Sequence, residues 1–229
     1  FISCSARLPV YMLFVDTFFE RYKALVMVSL YAIGILLAIL FAIVMKRTKW
    51  FKQESSDHVN ELPEFRMPKL KRVAAHVWER AEDYLQKIGT VIVWASIIIW
   101  ALQYFPQQDL SDIEHSYLAM IGQAIEPIMT PLGFDWKMSV CLLTGLPAKE
   151  AIVSTLAILY GGDLSAAGFT PLTAFGFMVF VLLYFPCFAT IATLRHEAGK
   201  TWAWFTVVHS IALAWLIAML IYQIGMLFY

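Results

Sequence analysis

Long apolar segments alternate with short polar ones along this chain. A transmembrane helix needs about 20 apolar residues to cross the hydrocarbon core of a bilayer. The run at 25–45 meets this length with only Ser29 and Gly34 as weak interruptions, and the runs at 88–104 and 201–224 have the same character. No segment alternates with the period of two that a barrel strand requires. The pattern predicts an all-α, polytopic membrane protein with transmembrane helices over these three runs.

Three further apolar runs are interrupted by proline and predict broken helices. The first covers residues 1–19 and contains Pro9, the second covers 138–160, and the third covers 171–194 and contains Pro186. Irregular backbone at membrane depth is tolerated only where it is buried in protein or lines a watery cavity. These interruptions are therefore the places where a polar pathway is expected.

Composition excludes several classes of protein. The 229 residues are 60% apolar and 15% charged, whereas soluble domains carry roughly 25% charged residues. A formal net charge of zero gives no electrostatic footprint for nucleic acid, and three cysteines cannot form a secreted disulfide framework. Because the chain opens on Phe1 without a signal-peptide pattern, we expect it to be a fragment of a larger permease.

The distribution of basic residues predicts the orientation. Residues 46–87 hold ten of the 17 Lys and Arg side chains, whereas 105–136 holds none and carries several carboxylates. Cytoplasmic loops retain Lys and Arg, so 46–87 is predicted to be cytoplasmic and 105–136 external. Within the cytoplasmic segment, residues 70–86 have the pattern of an amphipathic helix on the membrane surface, with partner docking as the alternative.

Two topologies are open for residues 138–160. If the run crosses the membrane, the loop 195–200 lies outside, against the charge rule. If the run dips in and returns as a re-entrant hairpin, that loop lies inside, where its Arg195 and Lys200 belong. The hairpin also explains why Gly145 and Pro147 interrupt the run at its middle, and it is the topology we predict.

The first interruption contains Ser3, Cys4, Arg7 and Pro9. Proline removes one helical hydrogen bond, so a free carbonyl is expected one turn back, beside the Cys4 thiol and the Ser3 hydroxyl. Arg7 would then neutralise a carboxylate in a pathway. The alternative is a Ser-capped helix end with Arg7 anchored in the cytoplasmic headgroups.

The second interruption contains Gly145, Pro147, Lys149 and Glu150. Pro147 at the first position of a half-helix, with Glu150 in its first turn, is favourable by geometry and by the helix dipole. A Lys149–Glu150 ion pair at a hairpin tip is the structural alternative. Two charges inside an apolar run cost about 2.5–3.5 kcal/mol each on insertion scales, which favours a functional role.

The third interruption contains Pro186 and Cys187. A free cysteine is usually a small hydrophobic residue, and Cys141 is interpreted that way. Cys4 and Cys187 differ because each adjoins a proline break and is followed two residues later by alanine. Corresponding broken helices in two repeats often hold the substrate site of a transporter.

The side chains at these breaks suit a divalent metal in transit. Thiolate, carboxylate and exposed carbonyl oxygens suit a first-row cation, and no spacing typical of a closed zinc site occurs. Cys4, Cys187 and Glu150 are the predicted metal ligands, with Fe²⁺, Mn²⁺ or another cation as cargo. An organic substrate is an alternative, since it would use the same breaks.

Several motifs carry a resemblance to a known family. They are SCSARLPVY at 3–11, ELP at 61–63, WER at 78–80, LLTGLPAKEAIVSTL at 142–156 and YFPCFATIATLRHE at 184–197. In order and in detail they resemble the C-terminal permease part of the ferrous iron transport protein B (FeoB) family. That family joins a cytoplasmic N-terminal GTPase to a membrane domain with two Gate repeats.

The resemblance implies the domain organisation and the roles of the breaks. Residues 1–19 would end the first Gate element, and 137–194 would form the second, a re-entrant hairpin plus a broken helix. Cys4 and Cys187 match the Gate cysteines proposed to line the iron path, and Lys149 and Glu150 match a basic-Glu step. No GxxxxGK[ST] phosphate loop occurs in the chain, so GTP would act only through the N-terminal domain.

The predicted function is Fe²⁺ uptake across the bacterial cytoplasmic membrane, as the non-enzymatic permease part of a GTPase-coupled transporter. A permease for another divalent metal or a nucleoside, and a non-transporting membrane scaffold, are the alternatives. The expected partners are membrane lipid, the missing GTPase and first-Gate portion, and small accessory iron-transport proteins. Nucleic acid is not expected, and a homo-oligomer is left open by the sequence.

Overall fold

A computed structural model describes residues 4–47, 69–104, 116–146, 149–161, 164 and 169–228. This part of the chain is all-α, as predicted. Its nine α-helices are α1 (Leu8–Phe18), α2 (Lys23–Arg47), α3 (Leu70–Tyr104), α4 (Tyr117–Met129), α5 (Trp136–Thr144), α6 (Ala151–Leu159), α7 (Pro171–Leu183), α8 (Phe188–Glu197) and α9 (Lys200–Phe228).

Within the described residues, two helices are long and apolar enough to cross a membrane. They are the segments Glu20–Arg47 and Lys200–Leu227, which contain α2 and α9. At 1.5 Å per residue the two helices are about 38 and 44 Å long, against a hydrocarbon core of about 30 Å. Both expose large apolar side chains such as Leu36 and Val208. A lipid environment favours a helix that has apolar side chains on all of its faces and little cover from the rest of the protein.

The helix α3 joins two elements that the sequence pattern separates. The amphipathic segment 70–86 and the apolar run 88–104 form one continuous helix of 35 residues. At about 52 Å it is longer than a bilayer core, so a helix of this length extends beyond the membrane. Val73 and Val77, predicted to face the membrane surface, are exposed.

The helix α4 lies in the part of the chain predicted only as an external segment, 105–136. Residues 105–115 are outside the described residues, but Ser116 caps α4 by accepting a hydrogen bond from the Ala119 N–H at 3.2 Å. Gly122 permits close packing on α5, because a Cβ there would meet the Trp136 carbonyl oxygen at 3.0 Å. The sequence pattern did not predict this helix, because Gln123, Glu126 and Pro127 interrupt its apolar run.

The helices α5 and α6 form an antiparallel pair over the run that the sequence predicts as a hairpin. At its base, the Tyr160 hydroxyl donates to both carboxylate oxygens of Asp135 at 2.7 Å. Near its tip, the Thr144 and Thr155 hydroxyl oxygens lie 3.0 Å apart. Each arm has nine residues, about 14 Å, which is half a bilayer core. The outer ends of the two arms therefore lie at the same end of the hairpin, and its re-entrant course in a membrane stays a prediction.

The helix α7 is the centre of the packing. Ten of its 13 residues are buried, and it contacts α9, α1 and α2. The rings of Phe14 and Phe177 lie 5.2 Å apart and those of Phe18 and Phe169 6.1 Å apart, so α1 runs antiparallel to α7. This alignment brings the start of α1 to the end of α7.

The contacts of α9 show which helix ends lie together. Close approaches of Tyr222 to Gly133 and of Leu172 to Gly225 place the C-terminal half of α9 beside the hairpin base and the start of α7. The rings of Phe41 and His209 lie 4.2 Å apart, so the end of α2 and the start of α9 share the opposite side. The loop 195–200 therefore lies at the same end of the helices as Lys46 and Arg47, and which end faces the cytoplasm stays a prediction.

Candidate functional site

The three interruptions meet at Lys149. This side chain is 7% exposed, and its ammonium lies 3.5 Å from the Val181 carbonyl oxygen and 4.7 Å from the centre of the Tyr184 ring. Cys4, Cys187 and Arg7 all lie close enough to interact electrostatically with the Lys149 charge. The start of α1, the hairpin tip and the end of α7 thus converge on one locus.

Val181 lies in the last turn of α7, where the helix leaves carbonyl oxygens without intrahelical partners. Residues 184–187 are not helical, and Pro186 has no N–H to donate. The C-terminal end of a helix carries a partial negative charge. This end of α7 therefore attracts a cation, and the Lys149 ammonium occupies it.

The two thiols at the locus are exposed, unlike Cys141, which is fully buried in the core. Cys187 precedes α8 in an extended conformation, and its sulfur lies 3.0 Å from the Thr190 hydroxyl oxygen. Cys4 precedes the short turn Ser5–Arg7, and its carbonyl oxygen accepts a hydrogen bond from the Arg7 N–H at 3.2 Å. Both cysteines therefore lie at the surface of the described part of the chain.

The role of Pro9 differs from the one expected. The sequence predicts a helix broken at Pro9, with a helical hydrogen bond lost one turn back, but α1 begins at Leu8 and Pro9 lies in its first turn. In that position the missing N–H costs no helical hydrogen bond, because the first turn has no acceptors for its donors. The break at Cys4 is therefore a helix start after a tight turn. Ser3 lies outside the described residues.

Arg7 is buried to 8% exposure, and it interacts electrostatically with Tyr184 as well as with Lys149. The expectation that it snorkels to the headgroups does not fit this burial. Arg7 and Lys149 place two positive charges beside the thiols. This concentration of positive charge makes the locus unfavourable for a cation until a negative group compensates it.

The hairpin tip is closely packed at Gly145. A Cβ at this position would meet the Ile152 side chain and lie 2.7 Å from the Tyr184 hydroxyl oxygen. The Tyr184 hydroxyl in turn donates to the Leu142 carbonyl oxygen at 3.4 Å. Only glycine allows the tip to approach the end of α7 this closely.

Glu150 and Lys149 have different surroundings. Glu150 is exposed and immediately precedes α6, whereas Lys149 is buried against α7. Pro147, predicted to begin the half-helix, lies outside the described residues, and α6 begins at Ala151. Glu150 still lies at the positive end of α6, where a carboxylate is favourable.

The predicted ligands do not form a ready metal site in this conformation. Among the described residues, no three His, Cys, Asp or Glu side chains form a group that could hold a metal ion. Cys4 and Cys187 lie at the locus around Lys149, whereas Glu150 is exposed and lies immediately before α6. Their role as ligands of a moving cation therefore stays a prediction.

Tyr184 and the Val181 carbonyl are parts of this locus that the sequence did not single out. The available signal for Tyr184 was its place two residues before Pro186, at the end of the most apolar helix. Nothing in the sequence marks Val181, because only the fold brings its carbonyl oxygen to Lys149.

Comparison with known families gives two matches. The Gate family, described as nucleoside recognition, matches residues 85–201, just over half of the chain. This range is wider than the predicted second Gate element, 137–194. A family described as ferrous iron transport protein B C terminus matches residues 27–80.

Several curated relatives match the whole chain. A Porphyromonas gingivalis protein named Fe(2+) transport protein A/Fe(2+) transporter FeoB fusion protein is 40% identical over 100% of this chain and 34% of its own length. Proteins named Fe(2+) transporter FeoB from Methanocaldococcus jannaschii and Staphylococcus aureus are 38% and 40% identical, each over 100% of this chain and 36% of their own length. The chain thus spans about a third of the relatives it matches. No solved structure matches it.

Proposed function

The chain belongs to the Gate family and matches the C-terminal membrane portion of ferrous iron transport protein B, and on that premise we propose that it forms part of an Fe²⁺ permease. The observation that supports the proposal is that Cys4 and Cys187 both lie within electrostatic range of Lys149, whose side-chain nitrogen lies 3.5 Å from the Val181 carbonyl oxygen in the last turn of α7. The relatives that are named Fe(2+) transporters support a divalent cation as the substrate.

The proposed pathway uses few and exchangeable ligands. Thiolates and backbone carbonyls bind a first-row divalent metal, and a small number of ligands lets it leave again. In the proposed step, Fe²⁺ displaces the Lys149 ammonium from the Val181 carbonyl and is held transiently between the thiols of Cys4 and Cys187. Supporting residues are Gly145, Pro147 and Pro186, which make the breaks, and Pro9 and Ser3 beside Cys4.

Glu150 completes the proposed pathway as a compensating charge. Two cations, Arg7 and Lys149, lie at the locus, and an approaching Fe²⁺ adds two more positive charges. An exposed carboxylate at the hairpin tip lowers the free energy of the metal there by Coulomb attraction. We therefore assign Glu150 to the approach of Fe²⁺.

The rest of the parent protein supplies what this part lacks. The relatives are about three times longer than the chain, and we propose that their remaining residues carry the GTPase and the first Gate element. The chain itself then performs no chemical reaction. The fusion relative supports a small accessory protein of the transport protein A type as a partner. We place the assembly in the bacterial cytoplasmic membrane, with several spans.

A nucleoside permease is the second candidate, because the Gate family is described as nucleoside recognition. Bases stack on aromatic faces, and Tyr184 and Phe185 adjoin the third break. The face of Tyr184 is already covered by Lys149 at 4.7 Å, which favours a cation over a base. Another divalent metal and a non-transporting scaffold remain the alternatives that the experiment must separate.

The experiment is uptake by the full-length parent protein in proteoliposomes. Fe²⁺, Mn²⁺ and a radiolabelled nucleoside are compared in the same vesicles, with and without GTP. We expect Fe²⁺ to accumulate fastest, and we expect Cys187→Ser to slow it by about tenfold because a hydroxyl is a harder and weaker ligand for this metal. Cys141→Ala is the matched control, since this buried thiol lies outside the pathway.

Three results would contradict the proposal in different ways. Nucleoside uptake without metal uptake would support the second candidate. Equal Fe²⁺ uptake by Cys187→Ser and the unmodified protein would remove the thiol from the pathway. No uptake of any substrate by a correctly inserted, GTP-hydrolysing protein would favour a scaffold.

A further inference from the structure

A cavity of about 370 Å³ lies between α8 and α9, and Phe185, in the non-helical segment after α7, also lines it. Its lining combines two basic side chains with an apolar wall. The basic residues are Arg195 and Lys200, and the apolar wall includes Ile191, Ala203, Trp204 and Val207. A volume of this order is typical of small-molecule pockets, which span roughly 300–1,000 Å³.

The charges in this cavity have one sign. Arg195 and Lys200 are the charged residues of its lining. The nearby Glu197 carboxylate is directed to His196, 3.8 Å from its Nδ1 atom, and is largely exposed. An anionic group is therefore attracted to one end of the cavity, whereas a free Fe²⁺ is repelled. The charge of the cavity lining therefore differs from what a site for Fe²⁺ needs, although Phe185 of this lining adjoins the third break.

We expect the cavity to lie at the level where a membrane meets water. Its basic end is on the same side as Lys46 and Arg47, the side predicted to be cytoplasmic. Lys200 begins α9, and the apolar lining continues along α9 through Ala203, Trp204 and Val207 into the membrane span. Trp204 is 70% exposed, and tryptophan is enriched at membrane interfaces. The order from basic to apolar therefore follows the order from headgroup to acyl chain.

We propose that this cavity binds the headgroup and upper acyl chain of an anionic phospholipid. Arg195 and Lys200 contact the headgroup phosphate, and the apolar wall contacts the glycerol backbone and first methylenes. Basic pockets between transmembrane helices on the cytoplasmic side are suited to anionic lipids by the same charge arrangement. The inference depends on membrane insertion but not on the identity of the transported substrate.

The test is lipid retention by the full-length parent, measured by native mass spectrometry after detergent extraction. The protein is titrated with phosphatidylglycerol and with phosphatidylcholine of the same acyl chains. Each basic residue near an anionic headgroup contributes about a fivefold change in affinity. We therefore expect phosphatidylglycerol to be retained at least about tenfold more tightly, and Arg195→Gln/Lys200→Gln to abolish the preference.

Two further variants make the test specific. Lys46→Gln/Arg47→Gln removes two charges from the same membrane side outside the cavity and should leave the retained lipid in place. Ala203→Leu narrows the cavity without changing charge and should release the lipid. If Ala203→Leu impairs folding, the Arg195→Gln/Lys200→Gln variant alone tests the proposal. Both of these side chains are exposed, so their substitution leaves the packing of the core unchanged.

Several results would overturn the proposal. Equal retention of the two lipids, or an unchanged preference in Arg195→Gln/Lys200→Gln, would exclude an anionic headgroup from this cavity. Retention of inorganic phosphate in the absence of lipid, at the concentration that is effective for the lipid, would assign the site to free phosphate. No retained lipid at all would indicate that another part of the parent fills the cavity. None of these results depends on Fe²⁺ uptake.

Discussion

The ammonium of Lys149 lies 4.7 Å from the centre of the Tyr184 ring, so the hairpin tip and the end of α7 are joined by a cation–π contact. The same ammonium lies 3.5 Å from the Val181 carbonyl oxygen. A buried cation at the C-terminal end of a helix is stabilised by both contacts. In the proposed pathway, Fe²⁺ takes the place of this ammonium.

Lys149→Met should increase Fe²⁺ leak through the full-length protein in the absence of GTP. The substitution keeps the length of the side chain and removes a charge that repels a divalent ion. At an effective dielectric constant of 20, unit charges 4 Å apart repel by about 4 kcal/mol, so a leak about tenfold faster or more is expected. The measurement is quenching of a metal-sensitive dye in proteoliposomes.

Lys149→Arg is the control for this prediction, because it keeps the positive charge and should keep the leak low. A leak that is unchanged in Lys149→Met would show that the charge is not a barrier. A leak that rises equally in both variants would assign the effect to packing.

Glu150→Gln should lower the initial rate of Fe²⁺ uptake without changing membrane insertion. The carboxylate at the hairpin tip is exposed, so removing its charge leaves packing intact and weakens only the attraction for the metal. We expect a three- to tenfold loss, at about 1 kcal/mol for an exposed charge. Glu20→Gln, exposed near the start of α2, is the matched control, and equal effects of the two would contradict a local role.

Cys4 and Cys187 should react with a small thiol reagent in the full-length protein, and Fe²⁺ should slow the reaction. Both thiols are exposed in this part of the chain, whereas Cys141 is fully buried. Single-cysteine variants labelled with and without metal test this by mass spectrometry. Labelling of Cys141 at a comparable rate, or labelling of Cys4 and Cys187 that Fe²⁺ does not affect, would contradict the placement of the two thiols beside the pathway.

Gly145→Ala should destabilise the protein and slow transport. The added methyl group would meet the Ile152 side chain and the Tyr184 hydroxyl, and overpacking of this kind costs about 1–3 kcal/mol. Thermal unfolding of the detergent-solubilised parent measures the change. Gly176→Ala is the control, since a Cβ there meets no atom within 4 Å and alanine favours a helix. A melting temperature lowered equally by both would contradict the close approach at Gly145.

Tyr160→Phe should lower stability by about 1.5–3 kcal/mol, the range for a hydrogen bond to a charged group. Its hydroxyl donates to both Asp135 oxygens, and Asp135 also accepts from the Met138 N–H at 2.8 Å. Thermal unfolding again provides the measurement, and Tyr31→Phe on the exposed side of α2 is the control. Equal effects of the two substitutions would mean that the bond does not hold the hairpin base together.

The sequence could predict the elements but not how they meet. Apolar length alone identified the segments that become α2 and α9, and Pro186 marked the end of α7. The approach of Cys4 and Cys187 to Lys149 depends on the antiparallel packing of α1 on α7, which is set by aromatic contacts such as Phe14 with Phe177. Such contacts between residues more than 160 positions apart leave no local pattern in the chain.

Two differences between the sequence predictions and the structure have local causes. The amphipathic segment and the span of α3 were separated because their hydrophobic patterns differ, yet nothing between them interrupts a helix, since Gln86 and Lys87 are good helix formers. Pro9 was expected inside a helix because apolar residues flank it on both sides. The tight turn before Leu8 makes it a helix-starting residue instead.

The hairpin α5–α6 is fastened at both ends, by Asp135 with Tyr160 and by Thr144 with Thr155, and Gly145 leaves no space between its tip and Ile152. Its two arms therefore cannot separate without breaking buried hydrogen bonds. We expect any opening of the passage to be a rigid tilting of the whole hairpin against α7, with Lys149 carried along. A covalent crosslink between the two arms should then leave conductance intact, whereas one between the hairpin and α7 should stop it.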